Sequence, residues 1–207
     1  MRLILVRHGE SIGNAAGVLQ GRLDYGLSER GLAQAKLTAE RLQAEPLVRI
    51  VSSPLKRAAE TAGFVSTATS LPVQFDDDLA EYDIGEGAGL TPAELRERFP
   101  ELLQPRPHGE RFAFPGEEGR DHFHQRLAGA LARYQQLDGL TVAVAHGGVV
   151  SAICHLVVGL DLHRRGIFQV GNCSLTEVIT DRSGRLMLAR HNDMCHLEGI
   201  ATLADRG

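Results

Sequence analysis

No stretch of the chain approaches the roughly 20 consecutive apolar residues that a membrane-spanning helix needs, which argues against a membrane protein. Cysteine is scarce. Cys154, Cys173 and Cys195 are odd in number and show no CxxC spacing, so free or buried thiols in a reducing, cytoplasmic setting are expected rather than a disulfide frame. Positive charge is not in surplus: the formal net charge is -4, against the basic balance of a nucleic-acid binder. There is no GxxxxGK[ST] phosphate loop. Gly85-Glu86-Gly87-Ala88-Gly89 fails as a dinucleotide fingerprint, because Leu90 stands where the third glycine belongs and no strong strand precedes it. Internal repeats and low-complexity tracts are missing. The N-terminus offers one arginine, a short apolar run and no small-residue cleavage site, so no signal peptide is expected.

What is present suits a packed enzyme-sized domain. The 207 residues are 43% hydrophobic and 23% charged, enough apolar content for one core. Strand-like and helix-like stretches alternate. Leu3-Ile4-Leu5-Val6 reads as a buried parallel strand. Ser28 is a candidate cap for a helix whose apolar positions are Leu32, Ala35, Ala39 and Leu42, limited by Pro46. Arg49 to Ser52 reads as a second strand. Ser53 and Pro54 read as the N-cap and first position of a helix carrying Leu55, Ala58, Ala59 and Ala62. A weaker strand is expected at Pro72 to Phe75. Thr91-Pro92-Ala93-Glu94 is a capping box, and Pro100 ends its helix. Residues 100–118 hold four prolines and two glycines, a loop long enough to cover a substrate. Phe123, Leu127, Leu131 and Tyr134 mark the next helix. Thr141 to Ala145 predicts the central strand, followed by an apolar helix from Val149 to Val158 that belongs to the core. Ser174 to Ile179 and Leu186 to Arg190 predict a closing hairpin. The pattern predicts one α/β domain over residues 1–207, a three-layer αβα sandwich with a mostly parallel central sheet and a lid or cap at about 85–125.

Ligands of such sheets bind beyond the carboxyl ends of the strands. Arg7-His8 and His146 fall there, although they lie far apart in sequence, and Arg57 opens a helix at the same edge. Two histidines and two arginines describe an anion pocket. Backbone N–H groups at the starts of the helices after Ser53 and after His146 are expected to point into it. Arginine gives planar, bidentate recognition of phosphate. The charge of Arg7 beside His8 disfavours the imidazolium form, leaving a neutral ring whose free nitrogen can attack phosphorus.

Five stretches carry a resemblance: LVRHGES, GRLDYGLSERGLAQA, VSSPLKRAAETA, LAEYDIGEG and VAVAHGGVV. In this order they resemble the motif set of the histidine phosphatase superfamily, the phosphoglycerate mutase-like proteins, over the chain from Arg2 to about Leu197. The resemblance implies His8 as the phosphate-accepting nucleophile, with Arg7, Arg57 and His146 in the phosphate pocket and Asn14 as a further contact. Gln20 and Gly21, where the second motif begins, and Gly147 complete the expected binding set. Glu81 matches the usual general acid, although Asp83 and Glu86 lie close enough in sequence to compete for that part. Two departures fall near the expected mouth of the site. Gly87-Ala88-Gly89-Leu90-Thr91 stands where relatives carry an aromatic residue and a glutamate. Pro115-Gly116-Glu117-Glu118-Gly119 stands where PGGES is usual.

The expected activity is phosphomonoester hydrolysis through a phosphohistidine, without metal or other cofactor, on a small phosphorylated metabolite. Neither nucleic acid nor membrane is expected as a partner, and the sequence leaves a homodimer open. One rival is a bisphosphoglycerate-dependent phosphoglycerate mutase. Only 65 residues separate Glu81 from His146, short of the insertion such mutases carry, and the chain has no long C-terminal tail. The other rival, a non-catalytic phospho-ligand module, conflicts with the retention of His8, Arg7, Arg57 and His146. His122 and His124 stand two apart on a helix and point to different sides, which suits a surface or lid role better than metal binding. Asp76-Asp77-Asp78 reads as a solvated turn. The arginines at 96, 98, 106, 111, 120 and 126 read as solvent-facing, with one or two available to an anionic substrate tail.

Overall fold

The computed structural model describes residues 1–105, 112–160 and 167–200. Strand β1 (Arg2–Arg7) is followed by a single turn, α1 (Ile12–Ala15), then α2 (Glu29–Gln43), β2 (Leu47–Ser52), α3 (Lys56–Thr69) and β3 (Val73–Phe75). Short α4 (Pro92–Arg98) precedes α5 (Arg120–Gln135), β4 (Leu140–Ala145), α6 (Gly147–Val158), β5 (Leu175–Thr180) and β6 (Leu186–Asp193). The strands form one sheet in the order β3-β2-β4-β1-β5-β6. The pairs β3-β2, β2-β4 and β4-β1 are parallel, whereas β5 runs against both β1 and β6. The expected hairpin therefore closes one edge of a mostly parallel sheet.

Strand alternation decides the layers, because successive side chains point to opposite faces. Leu3 and Leu5 pack with Phe123 and Leu127 of α5 and Val149 and Ile153 of α6. Ile4 and Val6 pack with Ala39 and Leu42 of α2 and Ala58, Ala62 and Val65 of α3. Strand β4 is buried at every residue, as a central strand covered on both faces must be. Burying each such aliphatic side chain contributes about 1.5–3 kcal/mol, so tertiary packing rather than intrinsic propensity holds the helices.

Three local expectations change. Ser53 is not the cap of α3. Its N–H donates to Val144 O at 2.9 Å, continuing the β2-β4 ladder, and the helix begins only at Lys56 after an extended Leu55. Leu32 is 42% exposed, because the buried stripe of α2 runs through Gly31, Gln34, Ala35, Thr38, Ala39 and Leu42 instead. Gly31 starts that stripe because its backbone lies directly against Glu10, with no space for a Cβ. The run Asp76-Asp77-Asp78 is not simply solvated. Asp76 accepts hydrogen bonds from Tyr134 Oη, Arg133 Nη2 and the Asp78 N–H, tying the end of β3 to α5.

Residues 100–118 are expected to form a loop. Within them Pro100–Leu103 forms a 3-10 turn, and Arg106, Pro107, Gly109 and Arg111 lie outside the described residues. A satellite apolar cluster joins Leu95, Phe99 and Phe114 with Ile84, Leu90, Leu102 and Phe112. Phe123 packs into the main core instead. Backbone bonds Leu19 N–Leu90 O (2.9 Å) and Gly89 N–Leu19 O (2.7 Å) fasten this cluster to the loop after α1.

Candidate active site

Adjacent parallel strands deliver the two histidines. His8 follows β1 and keeps the ladder going through its N–H to Ala145 O at 2.9 Å. His146 follows β4 and opens α6. Their ring centroids lie 5.2 Å apart. Arg57, on the first turn of α3, reaches over the same strand ends and is 1% exposed.

His8 Nδ1 lies 2.7 Å from Gly9 O. A carbonyl only accepts, so Nδ1 carries the proton and Nε2 holds the lone pair. Arg57 Nε–H donates to that Nε2 at 3.2 Å. The His8 pKa is held well below the ordinary imidazole range, first by burial, then by the charges of Arg57 and Arg7. The sequence points to Arg7 as the cause; Arg7 contributes, but burial comes first, because His8 is only 3% exposed. His146 is likewise held well below the usual range, by burial and then by His8 and Arg57. Its Nε2 meets Ser53 Oγ at 2.8 Å, and the Leu55 N–H donates to the same oxygen at 3.3 Å. The serine hydroxyl can serve Nε2 as donor or as acceptor, and the other ring nitrogen, Nδ1, is buried with no hydrogen-bond partner among the described residues.

A cavity of about 410 Å³ opens here. Its walls include Arg7, His8, Asn14, Gln20, Gly21, Arg57, Glu81 and Gly147, together with Val18, Leu19, Tyr82 and Ile84. His146 stands behind His8, fully buried. Arg57 is anchored by donating from Nη1 to Leu23 O and from Nη2 to Gly21 O, both at 2.8 Å. Gly21 thus contributes its carbonyl to holding Arg57. Asn14 has its carboxamide oxygen engaged by Ser11 and Asn172, so its amide nitrogen is the donor it can offer. Gln20 accepts from Ser11 Oγ at 2.7 Å through its oxygen, which likewise leaves its amide nitrogen.

Of the three neighbouring carboxylates, Glu81 alone lines the cavity. It accepts from the Tyr82 N–H at 2.8 Å and the Gly148 N–H at 3.0 Å. Asp83 accepts from the Gly85 N–H, and Glu86 pairs with Arg98. The expectation that helix-start amides would be open to phosphate is corrected at two positions. The Lys56 N–H donates to Asp24 at 2.7 Å, and the Gly148 N–H is taken by Glu81. A carboxylate of the chain already occupies each of those anion-binding positions.

Sequence reasoning missed the strap after α6. Asn172 Nδ2–H donates to His8 O at 3.0 Å, the Cys173 N–H donates to Arg7 O at 3.0 Å, and Arg7 Nη1–H donates to Val170 O. Cys173 adopts a left-handed φ of 57°, which turns the strap back onto β1. A Gly-Asn pair signals a turn but not its target. Arg126 is not solvent-facing as its sequence position suggests. Its side chain is 8% exposed and pairs with Glu118, because the residues after Phe114 fold over it. Among the described residues no three His, Cys, Asp or Glu side chains gather where they could share a metal ion.

Comparisons with known proteins agree with this arrangement. A model of the histidine phosphatase superfamily, branch 1, matches residues 3–193. Phosphoserine phosphatase 1 of Hydrogenobacter thermophilus is 37% identical over 202 residues, covering 95% of this chain and 94% of the relative. A probable phosphoglycerate mutase of Yersinia pestis is 30% identical, covering 96% and 95%. The solved structure of a mycobacterial glucosyl-3-phosphoglycerate phosphatase complexed with VO3 is 31% identical with a TM-score of 0.78, covering 93% of this chain and 99% of its own. With paired strand-end histidines, a matching fold and a family match spanning most of the sequence, the chain belongs to the histidine phosphatase superfamily, branch 1.

Proposed function

We propose that this chain hydrolyses phosphomonoesters of small metabolites in two steps, through a phosphohistidine on His8. The observation that carries the reading is the His8 ring: neutral, its Nδ1 proton held by Gly9 O, its Nε2 lone pair in a cavity lined by Arg7 and Arg57. In the first step Nε2 attacks phosphorus, the bond from phosphorus to the ester oxygen breaks, and Glu81 gives that oxygen its proton. Arg57 Nε–H moves from His8 Nε2 to a phosphoryl oxygen, where Arg7 and His146 also stabilise the developing charge. In the second step water attacks phosphorus, the P–N bond breaks, and the Glu81 carboxylate takes the water proton. Asn14, Gln20 and Gly147 add donors or close backbone approach around the phosphoryl group. No step needs a metal ion, because cationic side chains supply the charge that a metal would bring.

The leaving alcohol faces Val18, Leu19 and Ile84, and the segment around Phe114 serves as a cap on that side. The names of the relatives make phosphoserine and phosphoglycerate-type esters the first substrates to try. The reading places the protein in the cytoplasm, supported by three free cysteines, with a small phosphomonoester as partner rather than nucleic acid or membrane. No helix among the described residues is long and apolar enough to cross a membrane.

The test is phosphate release from a panel of phosphomonoesters, run beside a mutase assay supplied with bisphosphoglycerate. Release without phosphoryl return to substrate, inhibited by vanadate as a five-coordinate phosphorus mimic, supports the reading. Dominant mutase turnover replaces it with the mutase, and binding without turnover replaces it with a ligand module.

A further inference from the structure

Within Pro115-Gly116-Glu117-Glu118-Gly119, Glu118 keeps the glutamate of the usual PGGES and forms a buried ionic hub behind Glu81. The Glu118 side chain is 4% exposed. Its Oε1 accepts from Arg126 Nε at 2.6 Å and meets Arg22 Nη2 at 3.3 Å and His122 Nδ1 at 3.1 Å. Its Oε2 accepts from Arg126 Nη2 at 3.1 Å and from the Asp83 N–H at 3.2 Å. The Glu118 N–H donates to Asp83 O at 2.9 Å. Burial alone would raise the carboxyl's pKa; these partners hold it below the usual range, so the ionised form is the one stabilised here.

Both arginines have a second target, and it is the same atom. Arg22 Nε and Arg126 Nη2 each donate to the backbone carbonyl of Glu81 at 3.2 Å. Arg126 is further fixed by Nη1 on Asp78 O and by stacking of its guanidinium 4.7 Å from the Phe123 ring centroid. The next residue adds a tether, since the Gly119 N–H donates to Tyr82 Oη at 3.2 Å. Gly119 has φ 84°, a left-handed value that explains glycine where the family pattern has serine. Residues 81–83 are therefore gripped by one carboxylate, directly at Asp83 and through two guanidinium forks at Glu81.

We propose that Glu118 is a positioning residue for the general acid: it orients Arg22 and Arg126 on the Glu81 carbonyl and so sets where the Glu81 carboxyl meets the leaving oxygen. The proposal rests on the phosphohistidine reading above. Arginine suits this part because one planar fork can serve a carboxylate and a carbonyl at once. Glu118 touches neither the cavity nor substrate, so its effect must appear in proton donation rather than in phosphate binding.

The test compares Glu118→Gln, Arg22→Ala and Glu81→Gln, alone and with Glu118→Gln combined with Glu81→Gln. Turnover is measured on glycerol 2-phosphate, whose alkoxide leaves poorly, and on p-nitrophenyl phosphate, whose phenolate leaves unaided. Glu118→Gln is expected to lower kcat on the alkyl ester about 10–100-fold, with KM nearly unchanged and the nitrophenyl rate within about threefold. In the Glu81→Gln background it should add less than about twofold, because it acts only through Glu81. Arg22, whose side chain is 41% exposed, guards against a folding defect: Arg22→Ala should show the same selectivity with a smaller loss. Equal losses on both esters, an undiminished loss in the Glu81→Gln background, or an unchanged Arg22→Ala would overturn the proposal while acid-labile phosphate still forms on the protein. A wild-type protein that never acquires acid-labile phosphate overturns the underlying reading, and this one with it.

Discussion

Gly148→Ala separates the cost of folding from the cost of catalysis at one atom. A Cβ at residue 148 would stand 2.4 Å from Glu81 Oε1, where ordinary contact begins near 3.4 Å. The carboxylate must therefore retreat by about 1 Å. For the fold this is cheap, because the obstructed atom is the far end of a flexible side chain. Alanine is also the better helix former, by about 0.8–1.0 kcal/mol in a helix interior and less at the first turn of α6, so stability should hold or rise slightly. For the chemistry it is expensive, since a displacement of about 1 Å in a reacting group can cost 100-fold. Gly148→Ala should lower kcat on an alkyl phosphate by about 100-fold, roughly 2.7 kcal/mol of barrier, and should affect a nitrophenyl ester far less. Stopped assays on both esters, beside thermal melts of both proteins, make the comparison. Full activity on the alkyl ester would refute the placement of Glu81 as acid. A matching loss on both esters would mean that the alanine disturbs the phosphate pocket itself.

Other outcomes follow from the same geometry. Incubation with EDTA should leave turnover unchanged, because the charge on the phosphoryl group is met by Arg7 and Arg57; loss restored by one divalent ion would contradict this. His8 and His146 are buried neutral, with folded pKa values below 6.5, so the unfolded chain binds more protons once pH drops. Their contribution to stability is complete above about pH 6.5 and is lost as pH falls below it, at up to about 1.4 kcal/mol per pH unit for each ring. Urea melts from pH 7 to 5 should show the decline, and His8→Ala should make it shallower; a flat profile would refute the sign. Ile153→Ala, at a fully buried position of α6, should cost about 2–5 kcal/mol by denaturant melt, and a cost below 1 kcal/mol would mean that the core between α6 and the sheet repacks freely.

The parts legible in the sequence were those whose physics is local. Strand β4 could be read from five small and β-branched residues in a row, and the start of α4 from its capping box. His8 and Arg57 are legible as the end of an apolar strand run and the start of a helical pattern, and their roles through the motif resemblance. What escaped depended on contacts between distant segments. Ser53 looks like a helix cap in isolation, yet the ladder to Val144 holds it in extended form and turns its hydroxyl to His146. Arg126 reads as a surface charge, since composition gives no hint that it and Glu118 will bury each other. Asn172 reaches His8 across 164 residues of sequence, and no periodicity encodes that. The carboxylates at helix starts were missed for a related reason: the N-terminus of a helix attracts any anion, and here the chain supplies its own.

The claim on which the rest depends is that His8 Nε2 carries the phosphoryl group during turnover. Rapid acid-free quenching of the protein with a labelled phosphomonoester, followed by peptide mapping, tests it directly. The account predicts label that is labile in acid and stable in base, located in the peptide containing His8, appearing before free phosphate and missing from His8→Ala. Label on any other residue, or wild-type turnover by His8→Ala, would contradict it.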